Sequence, residues 1–169
     1  MIRGPTQNQG HLLTREYWGP IFWKLFHSLA EYSGSFKDVV RNDDELFAWT
    51  NIMKYQHEIM PCALCCNHFR DYVRKHPLLA MKALRGLDRK SFLRSWVYNI
   101  HCEVNQRKQV PNPVAYDSLE GMYKGQKVGD NIKQLEYMMD YAVEKKQAQF
   151  TSVIQWKNNI AKLRGLYGI

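Results

Sequence analysis

The sequence has no run of roughly 20 apolar residues, the length that a transmembrane helix needs. Segments in which apolar and polar residues alternate are also scarce, so no β-sheet is predicted. The N-terminus, residues 1–9, is polar and lacks the apolar core of a secretory signal. We therefore expect a helical protein with no membrane span that stays in the cytoplasm or in a compartment reached without a cleaved signal.

Cysteine is scarce too, with four in 169 residues. Three of them lie close together, at Cys62, Cys65 and Cys66, and the fourth is Cys102. They are too few and too clustered for a disulfide scaffold, and in a cytosolic chain a C-x-x-C motif indicates redox chemistry or metal binding. Inert buried thiols are the third possibility.

Basic residues outnumber acidic ones, and the formal net charge is +8. The longest basic clusters are only pairs, at 89–90, 107–108 and 145–146, so we do not predict a nucleic-acid partner. A solvated basic exterior with a few cations held for an anionic cofactor explains the charge better. The alternative, a nucleic-acid-binding protein with incidental cysteines, would bind DNA or RNA with a steep salt dependence.

The spacing of the apolar residues predicts helices almost throughout the chain. The first part of the chain contains four main helices and a short fifth one. The expected elements are a helix at 16–33, a second helix that opens on a capping box at Asn42-x-x-Glu45, a third helix from Pro61 in its first turn to about Lys75, a short helix or turn at 78–87, a fourth helix from Ser91 to about Lys108 that is ended by Pro111 and Pro113, and a short helix at 117–123.

Two glycines, at 125 and 129, bracket a predicted junction. We therefore divide the chain into a domain of residues 1–124 and a C-terminal helical extension of residues 125–169. The extension has two amphipathic segments, 130–147 and 152–166, and no chemical motif. Their apolar faces must be buried on the first domain, in a subunit contact or against a partner.

The motif P-C-A-L-C at 61–65 places Cys62 and Cys65 at the start of the third helix. The positive end of a helix dipole stabilises a thiolate there. Cysteines three residues apart share one helix face and can form a disulfide that accepts electrons from a substrate thiol by exchange. The alternative is a helical zinc-binding interaction module with Cys62, Cys65, His68 and His101 as ligands.

Three segments change the balance between these interpretations. Residues 19–32 read G-P-I-F-W-x-x-x-H-x-x-A-x-Y, residues 60–69 read M-P-C-x-x-C-x-x-H-F, and residues 96–105 read W-x-x-x-x-H-C-E-V-N. In order and spacing they resemble the signature segments of the Erv/ALR family of FAD-linked sulfhydryl oxidases, over about residues 15–124. The chain is similar to the compact members found in large DNA viruses. If it is a viral protein, we expect it in the host cytoplasm, the virus factory or the virion.

The resemblance implies an all-α fold, a four-helix bundle plus a short fifth helix that binds FAD in the mouth of the bundle. The C-terminal extension is added to it. Cys62 and Cys65 would be the catalytic pair, against the isoalloxazine ring, and no metal is implied. The residues to which the resemblance assigns cofactor contacts are Gly19, Trp23, His27, Tyr32, His68, Trp96, His101, Val104, Asn105, Lys108, Tyr116, Tyr123 and Lys124.

Two stripes carry most of this assignment. Trp23 and His27 are four residues apart and share a face of the first helix, although a core tryptophan and a surface histidine would show the same spacing. His101, Asn105 and Lys108 form a polar stripe on the fourth helix that fits cofactor contact, with the lysine near the pyrophosphate. A solvated helix face is the alternative for that stripe.

Tyr116 and Tyr123 correspond to aromatic residues that close over the adenine side in relatives, with core packing as the alternative, and Lys124 is a candidate phosphate ligand. The chain departs from the family pattern at Pro20, where an arginine is common, and at Cys102, where an asparagine is usual. One expected cofactor hydrogen bond is therefore lost or replaced. The second cysteine pair of larger members is missing, and residues 66 and 102 either pair with each other or stay thiols.

The implied reaction oxidises a substrate dithiol. The substrate attacks the disulfide at Cys62, and Cys65 passes the electrons to FAD. Oxygen reoxidises the flavin and yields hydrogen peroxide. The expected partners are a protein dithiol, molecular oxygen and a second copy of the chain, since family members are commonly homodimers packed through their first two helices.

Overall fold

The computed structural model describes residues 9–112 and 114–169 of an all-helical protein, and these residues form no strand. The all-α prediction is therefore confirmed, while the polar N-terminus up to Asn8 and the helix-ending Pro113 lie outside the described residues. Short 3₁₀ helices cover Gln9–Leu13, Leu78–Ala83 and Tyr116–Ser118. The α-helices are α1 (Arg15–Tyr32), α2 (Val39–Ile59), α3 (Ala63–Lys75), α4 (Gly86–Arg107), α5 (Leu119–Tyr123), α6 (Gly129–Glu144) and α7 (Phe150–Tyr167).

Helix α1 is the centre of the molecule. Its residues from Leu25 to Glu31 are all buried, which a helix achieves only when neighbours surround it. Helices α4, α5 and α6 pack against it, and α2 packs against α3 and α7. No helix among the described residues is both long and apolar enough to cross a membrane.

The predicted start of the second helix is wrong. Helix α2 begins at Val39, and its N-cap is Asp38, whose carboxylate accepts a hydrogen bond of 2.8 Å from the backbone N–H of Arg41. Asn42 lies inside the helix and is buried, and its side-chain amide donates to the carbonyl oxygens of Asp38 and Phe36. The capping-box pattern at Asn42 and Glu45 is therefore not a helix cap. Both residues lie inside α2 and are buried.

Two other boundaries differ. Helix α4 begins at Gly86, five residues before the predicted Ser91, so the expected short helix at 78–87 is divided between a 3₁₀ helix and the first turn of α4. Helix α3 begins at Ala63, and Cys62 is its N-cap, so Pro61 precedes the helix instead of standing in its first turn. Boundaries are where local signals and tertiary packing compete most closely.

Residues 125–169, the predicted C-terminal extension, contain α6 and α7, which pack against α1 and α2 respectively. Trp156 of α7 is fully buried and meets Phe22 of α1 edge to face, with ring centroids 5.8 Å apart. Leu135, Met138 and Met139 of α6 are buried in the same hydrophobic core as α1 and α2. These apolar faces of α6 and α7 are buried within the chain itself. The division into a domain of residues 1–124 and an extension of residues 125–169 stays a prediction.

Candidate active site

Cys62 and Cys65 form a disulfide at the N-terminus of α3. The sulfur of Cys62 accepts a hydrogen bond of 3.2 Å from the backbone N–H of Cys65. A sulfur in this N-cap position is stabilised as a thiolate when the bond is reduced, because unpaired N–H groups point towards it. The sequence therefore places a dithiol where the backbone favours its reactive form.

A cavity of about 150 Å³ lies beside the disulfide and is mostly apolar. Cys65 and His68 are in its wall, and Cys62 is not. The two cysteines thus differ, since Cys65 borders the cavity and Cys62 lies outside it. The remaining lining residues are Arg15, Trp18, Gly19, Phe22, Trp23, Phe26, Gln56, Met60, Leu64, Phe69, Tyr72, Ile100, Glu103, Val104, Arg107 and Lys108.

A second, more open cavity of about 490 Å³ adjoins the first, and the two share Gly19, Trp23 and Lys108. Together they form one elongated site that starts at the disulfide, where α2 and α3 also line it, and continues between α1, α4 and α5. The remaining lining residues of the open cavity are Pro20, Lys24, His101, Asn105, Met122, Tyr123 and Gln126. A long, flat ligand fits such a shape.

Four rings from three helices stack in two pairs at and behind the wall of the open cavity. Trp23 lies on His101 with ring centroids 4.3 Å apart and planes 11° from parallel, and His27 lies on Tyr123 at 4.7 Å and 14°. The two histidines are joined by a hydrogen bond of 3.0 Å between His27 Nε2 and His101 Nδ1. These residues are up to 100 positions apart in the sequence and meet only in the folded chain.

Burial lowers the pKa of both histidines, to about 3 for His27 and about 4 for His101. Desolvation of the charged ring is the larger cause in each, and the second cause is His101 for His27 and Lys108 for His101. Both rings are therefore neutral at neutral pH. A neutral pair can share one hydrogen bond, with one ring donating and the other accepting.

This pair makes stability depend on pH. In the unfolded chain a histidine titrates near 6.5, and in the folded protein these two titrate near 3 and 4, so the unfolded state binds more protons below pH 6.5. We expect the free energy of unfolding of the ligand-free protein to fall as pH is lowered from about 7 to about 4 and this contribution to level off near pH 3. Urea unfolding at successive pH values measures it.

The control for that experiment is the double variant His27→Gln, His101→Gln. It retains hydrogen-bonding side chains but removes both titrating groups, so its stability should fall less steeply over the same pH range. His11→Gln, at an exposed position, should keep the wild-type slope. Equal slopes in the double variant and the wild type would contradict the assignment.

Cations surround the elongated site. Arg15, Lys24 and Lys108 are exposed at its rim, and Arg107 is held by Glu103 at 2.6 Å. Cationic side chains around an aromatic groove suit a ligand that carries both phosphate groups and flat rings.

Of the residues that the resemblance assigns to the cofactor, nine border these cavities or the small adjoining space of about 10 Å³ that holds His27. The contact of each with a cofactor stays a prediction. The nine are Gly19, Trp23, His27, His68, His101, Val104, Asn105, Lys108 and Tyr123.

The other four lie elsewhere. Tyr32, at the C-terminal end of α1, stacks on Tyr167 with ring centroids 6.0 Å apart. The indole N–H of Trp96 donates to the carbonyl oxygen of His76 at 2.7 Å, which ties α4 to the end of α3. The remaining two also contact protein groups: Tyr116 shares a hydrogen bond of 2.8 Å with Ser95, and Lys124 pairs with Glu120 at 3.0 Å.

The sequence did not single out several lining residues. Phe22, Phe26 and Phe69 follow the apolar periodicity of a core, and nothing in that pattern separates a core face from a cavity wall. Gln56 is a polar residue on the buried side of α2 and carries no motif. Glutamine is rarely buried, so a glutamine on the apolar stripe of a helix was the one sign in the sequence of a role beyond packing at this position.

Cys66 and Cys102 are both free thiols, so the predicted alternative of a disulfide between them is wrong in this structure. The thiol of Cys66 donates to the carbonyl oxygen of Met60 at 3.2 Å, and burial raises its pKa. It therefore stays protonated beside the reactive pair. Cys102 borders the small space that holds His27.

The zinc alternative requires four ligands in one place. Among residues 9–112 and 114–169, no three His, Cys, Asp or Glu side chains are grouped so as to hold a metal ion. The sulfurs of Cys62 and Cys65 are bonded to each other, and His101 stacks on Trp23.

The sequence is similar to those of known proteins. The sequence model of the Erv1 / Alr family matches residues 20–124. The chain is 29% identical over 91 residues to proteins named FAD-linked sulfhydryl oxidase from two isolates of African swine fever virus. Each alignment covers 54% of this chain and 67% of the relative. No solved structure matches the chain closely enough to count as a relative.

Proposed function

Because the chain belongs to the Erv1 / Alr family, we propose that it is an FAD-dependent sulfhydryl oxidase that introduces disulfides into protein substrates. The observation that carries the proposal is the position of the Cys62–Cys65 disulfide, at a helix N-terminus with one sulfur in the wall of an elongated aromatic site. A thiol oxidase needs this juxtaposition of a redox-active disulfide and a place for an electron acceptor.

The residues of the site fit FAD. The apolar cavity beside Cys65 suits the isoalloxazine ring, and the stacked rings of Trp23 and His101 suit a second aromatic group. Lys108 borders both parts, at the position where a pyrophosphate would join the two ring systems. FAD, when bound, supplies the acceptor for two electrons and transfers them to oxygen, which becomes hydrogen peroxide.

The protein's own residues carry the thiol chemistry. A substrate thiolate attacks the sulfur of Cys62, the Cys62–Cys65 bond breaks, and Cys65 leaves as a thiolate. The second thiol of the substrate then loses its proton and attacks the mixed disulfide, which releases an oxidised substrate and leaves two reduced cysteines. Two electrons have moved from the substrate to the pair. Cys65, which borders the cavity, would be the cysteine that faces the flavin.

Substrates have to reach Cys62 directly, because the chain has no second cysteine pair of the kind that could shuttle electrons. Leu64 lies between the two cysteines and is 57% exposed, so an apolar contact is available to a docking protein. These features support a protein dithiol as the substrate.

The purified protein tests the proposal. We expect it to be yellow, with the visible absorption bands of a flavin, and to consume oxygen and release peroxide when dithiothreitol or a reduced protein is added. The zinc module would contain stoichiometric metal and consume no oxygen. A folded, colourless protein that binds no added FAD would contradict the proposed function.

We also propose a homodimer, in which α2 is the contact helix. Val40 and Phe47 of α2 lie seven residues apart on one stripe of the helix and are 71% and 58% exposed. They stay exposed although α7 packs on α2 and its Lys162 lies over the ring of Phe47. The expected mass in solution is twice 20.0 kDa by light scattering, and Phe47→Glu should give the mass of a monomer. Leu79→Glu, at an exposed leucine outside α2, is the control. A wild-type mass of 20.0 kDa would contradict this arrangement.

The cellular location stays a proposal. The relatives are proteins of a large DNA virus, and by analogy we place the chain in the host cytoplasm, the virus factory or the virion.

A further inference from the structure

Gln56 is a buried polar residue in the wall of the cavity beside Cys65. Only 1% of its surface is exposed, and it lies on α2 one turn before the helix ends. Most neighbours in that wall are apolar or aromatic, including Phe22, Phe26 and Met60. Burying an amide among such groups is costly unless its hydrogen bonds are made.

One of those hydrogen bonds comes from the C-terminal extension. The indole N–H of Trp156, on α7, donates to the side-chain oxygen of Gln56 at 2.8 Å. An indole nitrogen can only donate, so this bond fixes which end of the amide is oxygen and which is nitrogen. The amide nitrogen of Gln56 carries two N–H donors, and the bond from Trp156 to the oxygen is the one hydrogen bond that this side chain makes to another of the described residues.

We propose that Gln56 is a flavin-contacting residue, whose amide nitrogen donates a hydrogen bond to an acceptor atom of the bound isoalloxazine ring, and that Trp156 is the positioning residue that sets its direction. This inference rests on the proposed function, because it requires a flavin in the cavity. It gives the extension a role in the redox site in addition to its packing on α1 and α2.

The chemistry supports a tuning role for such a donor. The oxygens and unprotonated nitrogens of a flavin ring accept hydrogen bonds, and electron density on them rises when the ring is reduced. A donor from the protein therefore stabilises the reduced form more than the oxidised form and raises the reduction potential. Trp156 also packs edge to face on Phe22, another residue that lines the cavity. Its indole ring is therefore positioned by contacts with two lining residues, Gln56 and Phe22.

The test uses three variants of the full-length holoenzyme. Gln56→Leu removes the donor, Trp156→Phe keeps an aromatic ring but frees the amide, and the double variant replaces both hydrogen-bonding groups by apolar ones. The double variant keeps the experiment interpretable if a single one is unstable, because removing both partners leaves no buried group unpaired. Gln134→Leu, at an exposed glutamine on α6, is the matched control.

The readouts are the positions of the flavin absorption bands, the midpoint potential and the FAD dissociation constant of the refilled apoprotein. We expect Gln56→Leu and the double variant to shift the bands, lower the potential and raise the dissociation constant by about three- to tenfold, the loss of one hydrogen bond. Trp156→Phe should change the same quantities in the same direction by less, and adding it to Gln56→Leu should change them no further.

A purely structural hydrogen bond predicts a different pattern. Both single variants would then unfold more easily, while the flavin bands, the potential and the FAD affinity stayed at wild-type values. That result would overturn the inference and leave the oxidase proposal standing. Failure of the wild-type protein to bind FAD would instead overturn the proposed function.

Discussion

Replacing Cys65 by serine is expected to lower thiol-dependent oxygen uptake by about three orders of magnitude while the protein stays yellow. Cys65 forms the disulfide that we propose substrates reduce, and it borders the cavity proposed for the flavin. A serine hydroxyl can neither form that disulfide nor pass electrons from it. Uptake with dithiothreitol and with a reduced protein, followed beside the visible spectrum, measures both parts of the prediction.

The adjacent residue provides a matched control. Cys66→Ser makes the same replacement of sulfur by oxygen at the next residue. The thiol there donates a hydrogen bond to a backbone carbonyl oxygen, and burial raises its pKa. We expect this variant to keep at least half of the wild-type rate. Substantial activity in Cys65→Ser, or loss of activity in Cys66→Ser with the fold intact, would show that the reactive pair has been assigned incorrectly.

The different roles of the two cysteines can be measured in the same series. Cys65→Ser leaves Cys62 as a lone thiol outside the cavity, and Cys62→Ser leaves Cys65 as a lone thiol in its wall. With an aromatic disulfide as the probe, we expect Cys62 to form the mixed disulfide faster, since access limits exchange. A faster reaction of Cys65 would reverse the proposed order of attack.

The grouping of several predicted site residues along the cavities follows from their helical spacing. Trp23 and His27 share one stripe of α1, and His101 and Asn105 share one stripe of α4, so packing the two helices brings the stripes together. The spacing and the family pattern named these residues. They did not predict the hydrogen bond between the two histidines, because these side chains are 74 residues apart in the sequence and the bond depends on how their rings are placed in the fold.

Gln56 shows where such prediction ends. Its partner Trp156 lies 100 residues further along the chain. Trp156 belongs to the apolar stripe of the last helix, so the sequence indicated only that this tryptophan is a core residue. A long-range pair of this kind has no local signal, and neither motif nor periodicity records it. The contact between Tyr32 and Tyr167 at the end of α7 is another long-range pair without a local signal, and the cofactor contact that the resemblance assigns to Tyr32 stays a prediction.

Arg89 and Glu45 are a second example of long-range contacts that the sequence did not reveal. Glu45 was interpreted as part of a helix cap, which would place it at the surface, yet both side chains are fully buried and bonded to each other at 3.1 Å. Arg89 also donates to the carbonyl oxygens of Asn42, Met81 and Leu84. A charged pair can be buried where groups from several helices and loops make all its hydrogen bonds. Those groups come together only in the folded chain, so the local sequence does not predict the pair.

Arg89→Met is therefore expected to lower the free energy of unfolding by about 3–5 kcal/mol, because it leaves the buried carboxylate of Glu45 without its cation. The other oxygen of that carboxylate accepts hydrogen bonds from Tyr167 at 2.7 Å and from the backbone of Gly34 at 3.1 Å, so it cannot turn to water without disrupting the end of α7. Urea unfolding of the variant and the wild type gives the difference.

Two further variants separate the cost of an unpaired charge from the loss of packing. Adding Glu45→Leu to Arg89→Met removes the stranded carboxylate, and we expect it to restore part of the lost stability, as apolar replacements of buried ion pairs do. Lys145→Met breaks an exposed pair with Glu144 and should change stability by less than about 1 kcal/mol. If Arg89→Met cost no more than Lys145→Met, the buried pair would not be holding α2, α4 and α7 together, and the extension would have to be anchored by its apolar face alone.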